Sequence, residues 1–121
     1  RHERADSAYS HYHKLSGNII TFLNDFHEEA EPWPDGTRKA RIRIRHCPGF
    51  ELLSEKWDFH CRRGVVYACA ITKYNGQIAF HANGTHLLSA TDPNPPGAGL
   101  IGLRTFRTHL WWKDIRVTEL I

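Results

Sequence analysis

The sequence has no methionine and only three cysteines among its 121 residues. It also lacks any apolar run near the roughly eighteen residues that a membrane-spanning helix requires. Nor does it open on a charged stretch followed by an apolar segment, the pattern of a retained secretory leader. These absences predict a soluble chain with no membrane partner. Without a methionine, Arg1 is not a translation start. The expectation is that a signal, a pro-segment or another half of the domain lies upstream.

Whole classes of chemistry are missing as well. There is no G-x-S-x-G elbow, no phosphate-cradling glycine loop and no Cys/His set at zinc spacing, which argues against nucleophilic, nucleotide and zinc-finger functions. No two acids stand closely spaced on one strand, as a glycosidase on a β-sandwich would need. Glu51 and Glu55 are four apart in "FELLSEKWD", but "PGFELLSE" reads as a strand end and loop. The chain is mildly basic, at +3, and 12% aromatic, yet it carries no nucleic-acid module signature, so no nucleic-acid partner is expected.

What is present is one domain's worth of material, 40% hydrophobic, with no stretch of sustained helical periodicity. The fold class reads as all-β. In "VVYACAITKYNGQIAFHANGTHLLSA", Asn75-Gly76 and Asn83-Gly84 separate three β-rich segments, and both dipeptides favour type I′ hairpin turns. The pattern predicts a meander over roughly 65–73, 77–82 and 85–90. Val65, Tyr67, Cys69, Ile71, Ile78 and Phe80 fall on its core side. The Pro- and Gly-rich segment 92–99 forbids a central strand. Beyond it, "LIGLRTF" at 100–106 and "HLWWKDIRVTEL" read as two more strands, the last with Ile115 and Val117 pointing inward. "NIITFL" at 18–23 and "RKARIRIR" at 38–45 add two upstream. Roughly seven short strands with Gly/Pro punctuation predict an antiparallel β-sandwich.

The odd cysteine count pairs Cys47 with Cys61 and leaves Cys69 free or bonded outside the chain. Asn83-Gly84-Thr85 is an N-glycosylation sequon, which places the expectation at a secreted, extracellular protein. The cluster of arginines makes anionic partners a reasonable expectation.

Three segments, "YSHYHKLSGNIITF", "RIRIRHCPGFELLSE" and "GQIAFHANGTHLLSATDPNPPGAGLIGLRTFRTHLWWKDIRV", together resemble the YesU-like family. These are concanavalin A-like jelly rolls associated with polysaccharide breakdown. The resemblance covers most of residues 7–118 and is most specific over 92–117. It implies that residues 1–121 are the C-terminal part of a single jelly-roll domain, completed by an upstream segment or a second chain. No cofactor is expected, though the resemblance allows a structural calcium without assigning its ligands. This chain departs from the family by inserting "NDFHEEAEPWPDG" between strands.

Candidate site residues follow from the strand period. In "RKARIRIR", Ala40, Ile42 and Ile44 share one face, while Lys39, Arg41, Arg43 and Arg45 line the other. A row of planar guanidinium forks suits a carboxylate or sulfate, as in an acidic polysaccharide. The alternative is a solvated outer face. Arg104, Thr105, Arg107 and His109 add cationic and hydrogen-bonding groups beside Trp111 and Trp112. Adjacent tryptophans on a strand point to opposite faces, so one reads as core and Trp111 as a platform for a sugar ring.

"YSHYH" supports three readings. In a lyase, an arginine such as Arg43 neutralises a uronate carboxylate, and His11, Tyr12 or His13 removes the acidified proton. In a metal site, His11 and His13 supply two ligands and His81 or His109 a third. In a structural role, the same side chains merely cover a sheet edge. Recognition of a glycan in a concave groove is the leading expectation, with β-elimination on a uronate polymer as its rival.

Overall fold

The computed structural model describes residues 15–22, 42–59, 61–62, 64–103 and 110–118. Among these residues there is no helix. Six strands form, β1 (Gly17–Phe22), β2 (Ile42–Cys47), β3 (Glu51–Lys56), β4 (Cys69–Tyr74), β5 (Gln77–Ala82) and β6 (Thr85–Thr91). They make two three-stranded sheets, ordered β1-β2-β3 and β4-β5-β6, with every neighbouring pair antiparallel. The all-β expectation is met. The part of "RKARIRIR" before Ile42 lies outside the described residues.

The core forms where the two sheets meet, with β6 set against β3 and β2. Ile42 and Ile44 from β2 are fully buried, and they meet Ile78, Phe80 and Ala82 from β5 and Leu87 and Leu88 from β6. Each such large side chain contributes about 1.5–3 kcal/mol on burial. Phe22 anchors one end, with its ring centroid 5.8 Å from Phe59, 5.3 Å from Tyr67 and 5.4 Å from Phe80.

Both Asn-Gly turns form as expected. Asn75 and Gly76 have φ of 49° and 78°, and Asn83 and Gly84 have 51° and 78°. Positive φ at both central residues is the condition for a type I′ turn, whose twist matches that of the strands it joins.

Two doubled leucines mark places where the strand period breaks. Arg45 pairs with Leu52 and Ile44 with Ser54, so Leu53 is the extra residue of a bulge. In the second sheet Phe80 pairs with Leu88 and His81 with His86, which makes Leu87 the extra residue. A bulge lets consecutive side chains escape strict alternation. Leu53 therefore joins the core, while Leu52 stays 44% exposed. This corrects the reading of 51–55 as a strand end and loop: the bulge hides the alternation that would have revealed β3.

Other expectations are also corrected. Ile71 and Cys69 are exposed, as is all of β4, and Val65 lies exposed before it; of the expected core face, Ile78 and Phe80 are buried and Tyr67 partly so. The reason is that β4 is the strand farthest from β6, outside the overlap between the sheets. Residues 100–103 and 110–118 are not strands, and Ile115 and Val117 are 61% and 70% exposed. Trp111 and Trp112 are both exposed, so neither is core. An alternating pattern becomes a strand only where a ladder partner satisfies its backbone, and these residues have none among the described strands.

Cys47 and Cys61 are not bridged, and no cysteine forms a disulfide. β2 ends at Cys47, and β3 then carries the chain back by roughly 17 Å at about 3.4 Å per residue. A disulfide joins Cα atoms no more than roughly 7 Å apart, and among the described residues no strand returns from the far end of β3 toward the turn at Cys47. Cys47 is 1% exposed, and burial raises its thiol above the ordinary value. Alkylation of the denatured, unreduced protein is expected to label all three cysteines. Two cysteines reacting only after reduction would restore the bridge.

Candidate functional site

The pleat sends alternate residues of β2 to opposite faces. Ile42 and Ile44 go inward and Arg43 and Arg45 outward, as the sequence implied. The two arginines are not bare. Arg43 Nε donates to Glu55 Oε1 at 3.0 Å across the β2–β3 ladder, where the two residues are direct partners. Its guanidinium carbon also lies 5.7 Å from the centroid of the Trp57 ring.

Arg45 sits 3.9 Å from the centroid of the Phe50 ring and donates through an Nη atom to the Phe50 carbonyl at 3.0 Å. Phe50 can turn back toward β2 because the 48–50 turn puts Gly49 and Phe50 at positive φ. Burial, and next the like charge of Arg43, lower the Arg45 guanidinium below its ordinary value. An arginine so placed still carries its charge at any physiological pH.

The outer face of β1-β2-β3 therefore presents two cations, each fixed by an aromatic ring and a backbone or carboxylate acceptor. Such preorganisation reduces the side-chain entropy that binding would otherwise cost. The arrangement can hold an anionic group by charge and hydrogen bonds, with apolar rings alongside for a flat or C–H-rich surface.

On the opposite face of the same strands stands a polar cluster that the sequence did not reveal. Asp92, just beyond β6, is 3% exposed. Its Oδ2 accepts from Asn18 Nδ2 at 2.8 Å and lies 2.7 Å from His46 Nδ1. Its Oδ1 accepts from the Asn94 backbone N–H at 2.9 Å, an Asx turn set up by Asp92-Pro93-Asn94. Asn18 and His46 are direct ladder partners on β1 and β2. One carboxylate thus joins two strands of the first sheet, β1 and β2, to the chain leaving the second. Burial pushes the Asp92 carboxyl up, but the hydrogen bonds from Asn18, His46 and Asn94 and the interaction with His46 bring it net below its ordinary value.

The only sequence signal for this cluster is local. An Asp before Pro marks an Asx turn, and His46 continues the inward parity of Ile42 and Ile44. Nothing in the order of residues pairs positions 46 and 92.

Of the remaining expected site residues, His11, Tyr12, His13, Arg104, Thr105, Arg107 and His109 lie outside the described residues. Trp111 is 91% exposed, and the indole set against Arg43 is that of Trp57 instead. Asn83 is exposed at its turn, where its N–H donates to the Ala68 carbonyl at 2.8 Å and its Oδ1 accepts from the Ala68 N–H at 2.9 Å. Neither bond uses its side-chain amide nitrogen. Among the described residues no three His, Cys, Asp or Glu side chains gather to hold a metal. Comparison of the chain with protein-family models, curated proteins and solved structures returns no match.

Proposed function

We propose that this chain recognises an anionic glycan on the outer face of β1-β2-β3, as part of a secreted, concanavalin A-like jelly roll of the YesU-like kind. The observation that carries the reading is the pair Arg43 and Arg45, two residues apart on one face and each held against an aromatic ring. Support for secretion rests on the exposed sequon at Asn83, since the Cys47–Cys61 bridge is not formed.

The β-elimination reading is the weaker one. A lyase needs a general base beside the arginine that neutralises the carboxylate. His46 lies on the other face of β2 and is engaged with Asp92. The bases considered in the sequence, His11, Tyr12 and His13, fall outside the described residues.

Calorimetric titration with uronate-containing and sulfated oligosaccharides, against neutral ones, tests the proposal. Binding is expected for the anionic set only and should weaken as salt rises. Arg43→Ala and Arg45→Ala should each weaken binding by roughly tenfold to a hundredfold, the effect of losing a hydrogen bond to a charged group. Arg43→Lys should fall between, since it keeps the charge and loses the fork. Affinity unchanged in both alanine variants overturns the site. Ultraviolet absorbance from an unsaturated product on any uronate polymer would replace binding by the lyase reading.

A further inference from the structure

We propose that His81 and His86 form a surface site for a borderline divalent transition-metal ion, with zinc as the reference case. Inward-facing Ile78, Phe80 and Ala82 on β5 leave His81 on the outer face of the second sheet. The type I′ turn at Asn83-Gly84 fixes the register, and His81 pairs directly with His86 on β6. The two imidazoles therefore project from the same outer surface, beside each other across the ladder. Their ring centroids are 5.2 Å apart.

That separation is the one a shared ion needs. With metal–nitrogen bonds of about 2.0–2.1 Å and a ring centre roughly 1.15 Å behind each nitrogen, a tetrahedral angle puts two ligating imidazoles roughly 5.2 Å apart. The rings cross at 72°, edge to face, so one must turn to aim both nitrogens at a common point. His86 is exposed and its terminal torsion is broad, which makes it the ring that turns.

A second observation points the same way. His81 Nδ1 is buried and has no hydrogen-bond partner. A buried ring nitrogen without a partner calls for an explanation, and an ion is one that also accounts for the neighbouring histidine. The flanking residues are small: the ladder partner of His81 on β4 is Ala70, and two residues before His81 stands Ala79, so rotation of the exposed His86 ring is what must open His81 Nδ1 to an ion. Two nitrogen ligands with small neighbours leave the other coordination positions to water or to an incoming donor, an open rather than a closed site. Imidazole pairs suit zinc, copper(II) and nickel(II) over calcium or magnesium, which prefer oxygen.

Zinc chloride titrated into the whole chain by calorimetry, with side-chain nitrogen NMR of the imidazoles, tests this. The wild type is expected to bind one equivalent that shifts the His81 and His86 resonances together. His81→Ala and His86→Ala should each remove that equivalent, with circular dichroism unchanged; His86→Gln, at an exposed position, serves as a variant that should fold regardless. Zinc bound at other histidines would leave the His81 and His86 signals in place, and such a result overturns the site, as does retention of the equivalent in either alanine variant.

Discussion

Asp92→Ala is expected to destabilise the protein by about 3 kcal/mol or more, measured by chemical denaturation, because removing one partner of a buried pair leaves the others without theirs. Three donors lose this acceptor at once: His46 Nδ1, the Asn94 backbone N–H and Asn18 Nδ2, which keeps only a longer bond to the Arg45 carbonyl at 3.3 Å. Asp92→Asn keeps the shape and one acceptor oxygen. It should cost less, about 1–2 kcal/mol, since its amide can satisfy only part of the set.

The same carboxyl carries a pH dependence of definite sign. Its value in the folded protein lies below the ordinary one, so as pH falls the unfolded chain takes up the proton first. The stabilisation is therefore complete above the ordinary carboxylate value and is lost as pH falls through the lowered one. Asp92→Asn should flatten that part of the acid limb and leave neutral-pH behaviour to the lost hydrogen bonds. An acid limb identical in wild type and variant would show that Asp92 titrates normally in the fold.

Why this cluster was invisible in the sequence follows from how it is made. The strand period sorts residues into faces within a few positions, so Arg43 and Arg45 could be placed opposite Ile42 and Ile44 without knowing any tertiary contact. The Asn-Gly pairs likewise specify their turns by local sterics alone. Asn18, His46 and Asp92 meet only because β1 and β2 pair and the end of β6 comes up beside them, and no local rule encodes that. The aromatic partners of the arginines were hidden for a related reason. Phe50 and Trp57 flank β3, and β3 itself was obscured by the bulge at Leu53.

The errors at the other end of the chain have a different origin. Ile71, Ile115 and Val117 sit in patterns that alternate well enough to be half-buried strands. Alternation states which face a residue would take, and burial requires something to cover that face. β4 does form, but as the outlying strand of its sheet, and 110–118 forms no ladder with the described strands. The arginine face and the two histidines of β5 and β6 lie on the outward surfaces of different sheets, so glycan recognition and metal binding can be tested independently of each other.

Gly76→Ala should cost at least about 2–3 kcal/mol, and a matched glycine separates its two causes. Gly76 and Gly84 occupy the same position in their turns and have the same φ of +78°. Alanine at either site pays the left-handed penalty of roughly 1–2 kcal/mol. Around Gly84 a new Cβ would meet nothing within 4 Å, so Gly84→Ala should show that backbone term alone. At Gly76 the new Cβ would stand 2.7 Å from the backbone carbonyl oxygen of Asp92. No flexible side chain can yield there, and the Asp92 N–H donates to the Gly76 carbonyl at 2.7 Å, tying the two segments together. Relief of the clash must shift the strand end that carries Asp92, loosening its bonds to Asn18 and His46. Gly76→Ala should therefore exceed Gly84→Ala by at least about 1 kcal/mol, the scale of one net hydrogen bond. Combined with Asp92→Ala, its cost should fall well short of the sum, since residues in one network couple. Equal losses at the two glycines would mean that the close approach of turn and strand end does not constrain the fold, and that the Asp92 cluster is held in place by its side-chain bonds alone.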